Sequence, residues 1–189
     1  MLRKIFYKQP GKKEEVAVTP LWSSPLDFDE VWKVRIARMA SHIRRPSSVA
    51  DFGCGMMWLE TCLPPGSIYL PVDYVRRDER TIVVDLNRDP FPAVTGDVAF
   101  MSGVLEYVAD VEGFAGNLEK AGFKKIILSY CTLEKRSDMN GRTSLNWVSH
   151  KSLFDLLPIF LGGYNLSAID DVNDNTILVF DRKNEDLPV

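Results

Sequence analysis

Short runs of apolar residues recur through the middle of the chain, and several of them end in aspartate. Each run has four to six residues and lacks the alternation of apolar and polar positions that marks a half-exposed strand. Continuous apolar runs of this length are typical of strands covered on both faces, as in a parallel sheet. The pattern therefore predicts five strands, at 48–52, 68–72, 81–84, 98–101 and 125–130.

A helical pattern precedes these strands. Apolar residues recur at helical spacing from Phe28 to Ile43, and Pro46 ends the run. Asp27 followed by Glu30 fits a capping box at the start of the run. We expect one amphipathic helix of about four to five turns, packed by its aromatic side.

The last part of the chain predicts a helix followed by a hairpin. Ser149 is placed to cap a helix that ends at Gly162-Gly163, with Pro158 kinking or shortening it. Apolar runs at 164–169 and 176–180 flank a polar cluster, which is the pattern of an antiparallel hairpin.

The connections within the strand region are short. The stretches at 74–80 and 86–97 are too short or too interrupted by proline for the helices that usually join parallel strands. We therefore expect an α/β domain in which loops replace some crossover helices. Residues 1–25, rich in Lys, Pro and Ser, predict a flexible basic arm, and 26–189 a single domain.

The composition agrees with one globular domain and limits the classes of partner that fit it. The chain has 189 residues, 46% of them apolar and 26% charged, which is ordinary for a soluble domain. No apolar stretch approaches the roughly 18 residues of a membrane span, and no apolar leader is present, so we expect a cytoplasmic protein. The three cysteines form no CxxC pair, two histidines are too few for a histidine-built metal site, and a net charge of −3 argues against a nucleic-acid partner.

A glycine turn follows the first predicted strand. In Asp51-Phe52-Gly53-Cys54-Gly55 the strand runs into Gly-x-Gly, where glycine lets the backbone turn sharply and approach a ligand. A helix starting after the turn would add unpaired N–H groups. The alternative is a tight turn with no ligand.

Aspartates near the ends of the next strands favour the hypothesis that the glycine turn binds a ligand. Asp73 ends the second strand 20 residues after Gly53, a spacing at which a carboxylate can accept both hydroxyls of a ribose. Asp85 ends the third strand, where it can meet an adenine, and Asp97 opens the fourth. Together they indicate one crevice at the carboxyl edge of the sheet, where open α/β sheets bind ligands.

The chain resembles the class I S-adenosylmethionine-dependent methyltransferase family over about residues 48–181. The resemblance is carried by VADFGCG (49–55), YLPVD (69–73), VVDLN (83–87), DVAFMSGVLEYVAD (97–110) and KKIILSY (124–130). It implies a Rossmann-like methyltransferase fold with a mostly parallel seven-stranded sheet and a C-terminal antiparallel hairpin. It also implies S-adenosylmethionine as the cofactor, bound mainly by residues 46–131.

The resemblance assigns cofactor contacts by position. Asp51 and the turn Gly53-Cys54-Gly55 would hold the amino-acid end of the cofactor, and Asp73 its ribose. Asp85 and Leu86 would flank the adenine, and Met101 and Ser102 would line the floor. One position departs from the family, because Met57 stands where another glycine is common, and its side chain could narrow the cofactor site.

Three side chains are candidates for catalysis. Histidine titrates near neutrality, and His150 precedes the late helix near the expected rim of the crevice, so it is the first candidate for a general base. Tyr107 and Tyr130 are further candidates. Each has a structural alternative: His150 as a residue of the first helical turn, and the tyrosines as packing aromatics.

The sequence thus predicts a methyltransferase acting on a small-molecule or sugar-like acceptor, with no metal, and leaves the oligomeric state open. Two alternatives remain. The first is a catalytically silent binding or scaffold protein with the same fold. The second is an NAD-dependent oxidoreductase, which is disfavoured because Trp58 stands where the dinucleotide fingerprint has its third glycine.

Overall fold

A seven-stranded sheet forms the centre of the computed structural model, which describes Trp22, Ser24 and residues 27–183. Its strands are β1 (Ser48–Phe52), β2 (Ile68–Asp73), β3 (Ile82–Val83), β4 (Val98–Ser102), β5 (Lys125–Tyr130), β6 (Tyr164–Val172) and β7 (Asn175–Arg182). The strand order is β3-β2-β1-β4-β5-β7-β6. β1 to β5 pair in parallel, and β7 runs antiparallel to both β5 and β6. The predicted Rossmann-like sheet with a terminal antiparallel hairpin is confirmed.

Short helices accompany the sheet in the described part of the chain. The α-helices are α1 (Trp32–Ala40), α2 (Val111–Lys120), α3 (Met139–Ser144) and α4 (Leu153–Leu161), and two short 3₁₀ helices span Glu60–Cys62 and Leu105–Tyr107. In the described part of the chain, no helix is long and apolar enough to cross a membrane. The predicted arm at 1–25 lies outside the described residues except for Trp22 and Ser24.

The first helix is about half as long as predicted, and the predicted capping box is wrong. Its N-cap is Val31, which makes no side-chain capping bond. Asp27 instead accepts a hydrogen bond from the Ser24 backbone N–H, and Asp29 accepts one from the N–H of Val31. A local turn before the helix therefore uses the Asp27 carboxylate that the pattern had suggested for the cap.

The late helix begins three residues after the predicted cap. Ser152, not Ser149, caps α4 by accepting a hydrogen bond from the Asp155 N–H at 3.1 Å. The Ser149 hydroxyl is buried and lies 3.0 Å from the Tyr130 hydroxyl. Pro158 lies inside the helix, which continues to Leu161.

Crossover helices are missing from one half of the sheet. Between β1 and β2 the chain forms turns and the 3₁₀ helix Glu60–Cys62, and no helix separates β2 from β3 or β3 from β4. The α-helix expected directly after Gly55 is therefore absent, and with it the predicted helix N-terminus. Between β2 and β4 loops replace helices, as the short connections predicted.

Both faces of the sheet are buried. On β4, Val98 and Phe100 face the cluster that contains Met39 of α1, whereas Ala99 and Met101 face the cluster that includes residues of α2 and α4. Successive residues of one strand thus pack into different cores. This explains why the strands are continuous apolar runs in the sequence.

Candidate functional site

A cavity of about 720 Å³ lies at the carboxyl ends of β1, β2 and β4. This volume falls within the range of about 300–1,000 Å³ that is typical of small-molecule sites. Eight of the nine residues predicted to contact a cofactor line the cavity: Asp51, Gly53, Cys54, Gly55, Asp73, Asp85, Leu86 and Ser102.

Met101 and Asp97 lie elsewhere. Met101 is fully buried in the core and is not among the cavity-lining residues, whereas its neighbour Phe100 lines the cavity. Asp97 precedes β4 and so lies at the amino-terminal edge of the parallel strands, opposite the cavity. Its carboxylate accepts hydrogen bonds from Lys124 Nζ at 2.8 Å and from the Ser48 N–H at 3.0 Å, which lower its pKa to about 2. The expected joint placement of Asp97 with the other aspartates is wrong.

The turn after β1 has the backbone that its glycines suggested. Gly53 and Gly55 have φ angles of +69° and +50°, and the N–H groups of Gly53 and Cys54 both donate to the Val72 carbonyl oxygen. Met57 also has a positive φ, +58°, so this position keeps the left-handed backbone that favours glycine. Met57 is half-buried and is not among the residues that line the cavity.

Asp73 is buried, and its carboxylate is already engaged. Its Oδ2 accepts hydrogen bonds from the Gly55 N–H at 2.9 Å and from Arg77 Nε at 3.2 Å, and its Oδ1 accepts one from the Val75 N–H at 3.0 Å. Arg77 Nη2 also donates to the carbonyl oxygen of Trp22 at 2.8 Å. The Cys54 thiol also lies 3.9 Å from Asp73 Oδ2. Arg77 is the charged side-chain partner of Asp73 that could be exchanged for a ligand.

Asp51 lies beside Asp73 in the same cavity wall. Burial raises the pKa of Asp51 to about 7, the hydrogen bond from the Tyr69 hydroxyl lowers it, and the charge of Asp73 raises it further. The Tyr69 hydroxyl donates to Asp51 Oδ2 at 2.7 Å. The two residues therefore line one cavity, and their carboxyl groups interact electrostatically.

Aromatic side chains form another wall of the cavity. The Trp22 ring lies 5.5 Å from the Trp32 ring and 6.1 Å from the Tyr107 ring, both in edge-on arrangements. The Phe28 ring covers the glycine turn, because a Cβ built on Gly55 would lie 2.5 Å from it. The Arg77 guanidinium packs over the Phe28 ring, 5.2 Å from its centroid.

Two of the three predicted catalytic residues are not at the cavity. His150 Nδ1 accepts a hydrogen bond from Arg142 Nε at 3.1 Å. The Tyr130 hydroxyl is buried against Ser149 and accepts a hydrogen bond from the Lys151 N–H. Neither His150 nor Tyr130 is among the cavity-lining residues.

Tyr107 does line the cavity, but its hydroxyl is poorly suited to act as a base. Burial raises the pKa of Tyr107 to about 12, while hydrogen bonding from Trp147, the charge of Glu106 and hydrogen bonding from Trp22 make smaller contributions. The hydroxyl therefore stays protonated at neutral pH.

Glu106 is a site residue that the sequence analysis did not select. It lines the cavity and is 1% exposed, and its Oε1 accepts a hydrogen bond from the Cys131 N–H at 2.8 Å. Its Oε2 is buried without a hydrogen-bond partner among the described residues. Burial raises the pKa of Glu106, while the Cys131 N–H and the positive charges of Arg35 and Arg142 oppose that rise. The available signal was an acidic residue within the apolar run Val-Leu-Glu-Tyr-Val.

Solved structures share this architecture. One is a chain of the complex between the Haloferax volcanii Trm112 methyltransferase activator and a methyltransferase, with 11% identity, a TM-score of 0.68, and coverage of 85% of this chain and 92% of that one. The class I methyltransferase fold is thus established for this protein. No protein-family model matches the sequence, and no curated protein is significantly similar to it.

Two further structures with this fold contain S-adenosylhomocysteine. NodS, an N-methyltransferase of Bradyrhizobium japonicum, has 11% identity and a TM-score of 0.62, with coverage of 87% of this chain and 95% of NodS. The Burkholderia thailandensis 1,6-didemethyltoxoflavin-N1-methyltransferase, solved with its toxoflavin precursor, has 12% identity and a TM-score of 0.61. Coverage there is 82% of this chain and 79% of that enzyme. At these identities the similarity establishes the fold alone.

Proposed function

We propose that this protein is an S-adenosylmethionine-dependent methyltransferase that acts on a small-molecule acceptor. The observation that carries the proposal is the cavity, which gathers eight of the nine residues assigned to the cofactor at one edge of the sheet. Two methyltransferases of the same fold bind S-adenosylhomocysteine, the product left after methyl transfer. The cavity volume of about 720 Å³ suits small molecules and supports a small or sugar-like acceptor.

The residues of the cavity fit an adenosyl amino acid. The positive φ of Gly53 and Gly55 brings the backbone close to the space above the turn, and Asp51 lies beside it. Asp73 would accept the two ribose hydroxyls in exchange for the N–H groups of Arg77. Asp85 and Leu86 would flank the adenine. When bound, the cofactor supplies an electrophilic methyl group.

The contribution of this chain is then to position the acceptor and exclude water. Holding two reactants in line can lower a barrier by about 7–11 kcal/mol without a general base. The aromatic wall around Trp22, Trp32 and Tyr107 is suited to hold an acceptor, since large apolar side chains provide most of the contact area in such sites. The three free cysteines support a reducing, cytoplasmic location.

Calorimetric titration tests the proposal. Wild-type protein should bind S-adenosylmethionine and S-adenosylhomocysteine but not NADH. Asp73→Ala should weaken S-adenosylhomocysteine binding about 10- to 100-fold, because a buried charged hydrogen-bond acceptor is lost. Asp97→Ala is the matched control, since Asp97 also lies at a strand end but on the opposite edge of the sheet. Its folded variant should bind normally.

A scaffold protein is the second candidate, and one observation favours it. Arg77 already pairs with Asp73, and Phe28 already covers Gly55, so two of the main cofactor contacts are occupied by the chain's own side chains. Absence of binding heat for both adenosyl ligands with folded wild-type protein would support this candidate. NADH binding would instead favour the oxidoreductase.

A further inference from the structure

Glu106 Oε2 is a buried oxygen that the folded chain leaves without a hydrogen bond. The residue is 1% exposed, and its other oxygen is satisfied by the Cys131 N–H at 2.8 Å. Among Trp22, Ser24 and residues 27–183, no group donates to Oε2. Buried polar atoms of native proteins are nearly always paired, so an orphan of this kind requires an explanation. Because Glu106 forms part of the cavity wall, a molecule in the cavity can supply the missing donor.

Two arginines near Glu106 oppose the rise that burial causes in its pKa. The positive charges of Arg35 and Arg142 both act on its carboxyl group. Neither arginine donates to Oε2, because Arg35 Nε is directed to the Ser102 hydroxyl at 2.9 Å, and Arg142 Nη1 to the Cys131 carbonyl oxygen at 2.8 Å. The carboxylate thus has counter-charges nearby but keeps one oxygen free. In its ionised form this oxygen accepts hydrogen bonds and cannot donate them.

Aromatic side chains form other parts of the same cavity wall. Tyr107 follows Glu106 in the chain, and the rings of Trp22, Trp32 and Trp147 line the same cavity. Trp22 stands edge-on to both Tyr107 and Trp32, with centroid separations of 6.1 and 5.5 Å. Aromatic rings of this kind pack favourably against another ring in edge-to-face or offset-stacked arrangements.

We infer that Glu106 Oε2 accepts a hydrogen bond from the methyl acceptor, and that this acceptor is a planar aromatic compound with an O–H or N–H donor. The inference rests on the proposed function for its description of the ligand as a methyl acceptor. Glu106 fixes the orientation of the donor group, and the aromatic wall holds the ring. An analogue in which the donor hydrogen is replaced by a methyl group loses this contact.

A matched pair of small aromatic probes tests the inference by calorimetry. 2-Naphthol carries one O–H donor, and 2-methoxynaphthalene has the same rings without it. Wild-type protein should bind 2-naphthol at least about tenfold more tightly, the range expected for a hydrogen bond to a charged group. Equal affinities, or no binding of 2-naphthol, would overturn the inference. This comparison needs no variant and is independent of any effect on folding.

Glu106→Gln tests the same contact from the protein side. If the amide oxygen keeps the bond to the Cys131 N–H, an NH₂ donor replaces Oε2. The variant should bind 2-naphthol about 10- to 100-fold more weakly and 2-methoxynaphthalene unchanged. Glu112→Gln, on an exposed position of α2, is the control and should behave as wild type. A folded Glu106→Gln protein that still prefers 2-naphthol would contradict the inference.

Titration with S-adenosylhomocysteine separates this inference from the proposed function. Glu106→Gln should leave the affinity for S-adenosylhomocysteine unchanged. If the wild type discriminates between the naphthalene probes but binds no adenosyl ligand, the aromatic donor site stands and the methyltransferase proposal fails. If it binds S-adenosylhomocysteine but does not discriminate, the methyltransferase proposal stands and the acceptor class is wrong.

Discussion

Asp73 and Arg77 form a buried ion pair whose removal can be measured in stability and in ligand binding. Their side chains are 3% and 9% exposed, and Arg77 Nε lies 3.2 Å from Asp73 Oδ2. Removing one partner of a buried pair typically costs about 3–5 kcal/mol, because the other charge is left uncompensated. We expect Asp73→Asn to lower the free energy of unfolding by about 3 kcal/mol, since the buried charge of Arg77 loses its counter-charge.

Arg77→Met completes a double-mutant cycle. It should cost less, about 1–2 kcal/mol, because Asp73 retains hydrogen bonds from the N–H groups of Gly55 and Val75. The double variant should be more stable than the sum of the single losses predicts, with a coupling energy of about 1–3 kcal/mol. Urea unfolding of the wild type, the two single variants and the double variant at pH 7 gives the free energy of unfolding of each protein. Losses that add to within about 0.5 kcal/mol would refute the buried pair.

The same variants separate two roles of Asp73. Arg77→Met frees the carboxylate for ribose hydroxyls and should raise the affinity for S-adenosylhomocysteine, whereas Asp73→Asn should lower it about 10- to 100-fold. Opposite shifts measured by calorimetry would fit a carboxylate that exchanges an internal partner for a ligand. Shifts in the same direction would show that Arg77 supports the site rather than competing for it.

Three further predictions concern the other side chains of the site. Because burial raises the pKa of Asp51 to about 7 from 3.8, the folded protein retains a proton that the unfolded chain releases, and the contribution of this group to the free energy of unfolding falls by about 3 kcal/mol between pH 4 and pH 7. Asp51→Asn should therefore be more stable than wild type at pH 8 and similar at pH 4 in urea unfolding; a difference that does not grow with pH would contradict this. His150→Ala should lower the free energy of unfolding by about 1–3 kcal/mol, since it removes a hydrogen-bond acceptor of buried Arg142, and calorimetry should show unchanged S-adenosylhomocysteine affinity. Gly55→Ala should cost at least about 1–2 kcal/mol in thermal or urea unfolding, because φ is +50° and the new Cβ meets the Phe28 ring, whereas Gly116→Ala, in open space on α2, should be neutral or stabilising.

The positions of the strands follow from the local pattern of apolar residues. β5 has the predicted bounds, Lys125–Tyr130, and β1 also matches its predicted range. Both are covered on two faces, so their apolar runs are continuous and their ends are marked by polar residues. β3 is shorter than predicted, with two residues rather than four, since only Ile82 and Val83 pair with β2 at the edge of the sheet.

The errors arise where two local interactions compete or where a side chain acts over a distance in sequence. The α1 cap was misjudged because Asp27 and Asp29 bond to the nearest turn instead of the helix. His150 was placed at the rim by its position along the chain, but Arg142, eight residues earlier, binds its ring nitrogen. No local pattern contains that contact.

Glu106 and Asp97 are instructive for different reasons. The burial of Glu106 depends on the packing of Arg35, Cys131 and Arg142, which come from three distant segments, so the sequence offers only its apolar neighbours as a signal. Asp97 could have been placed correctly, because a residue that precedes a strand parallel to its neighbours lies at the amino edge of the sheet.

The position of Phe28 links ligand affinity to the segment before α1. Its ring lies against Gly55 and under the Arg77 guanidinium, so a molecule that touches the Gly55 backbone has to push the ring aside. The free energy that this displacement costs weakens the binding of every ligand that contacts the turn. A smaller side chain at position 28 should consequently tighten binding without adding any contact to the ligand, and it should speed association as well.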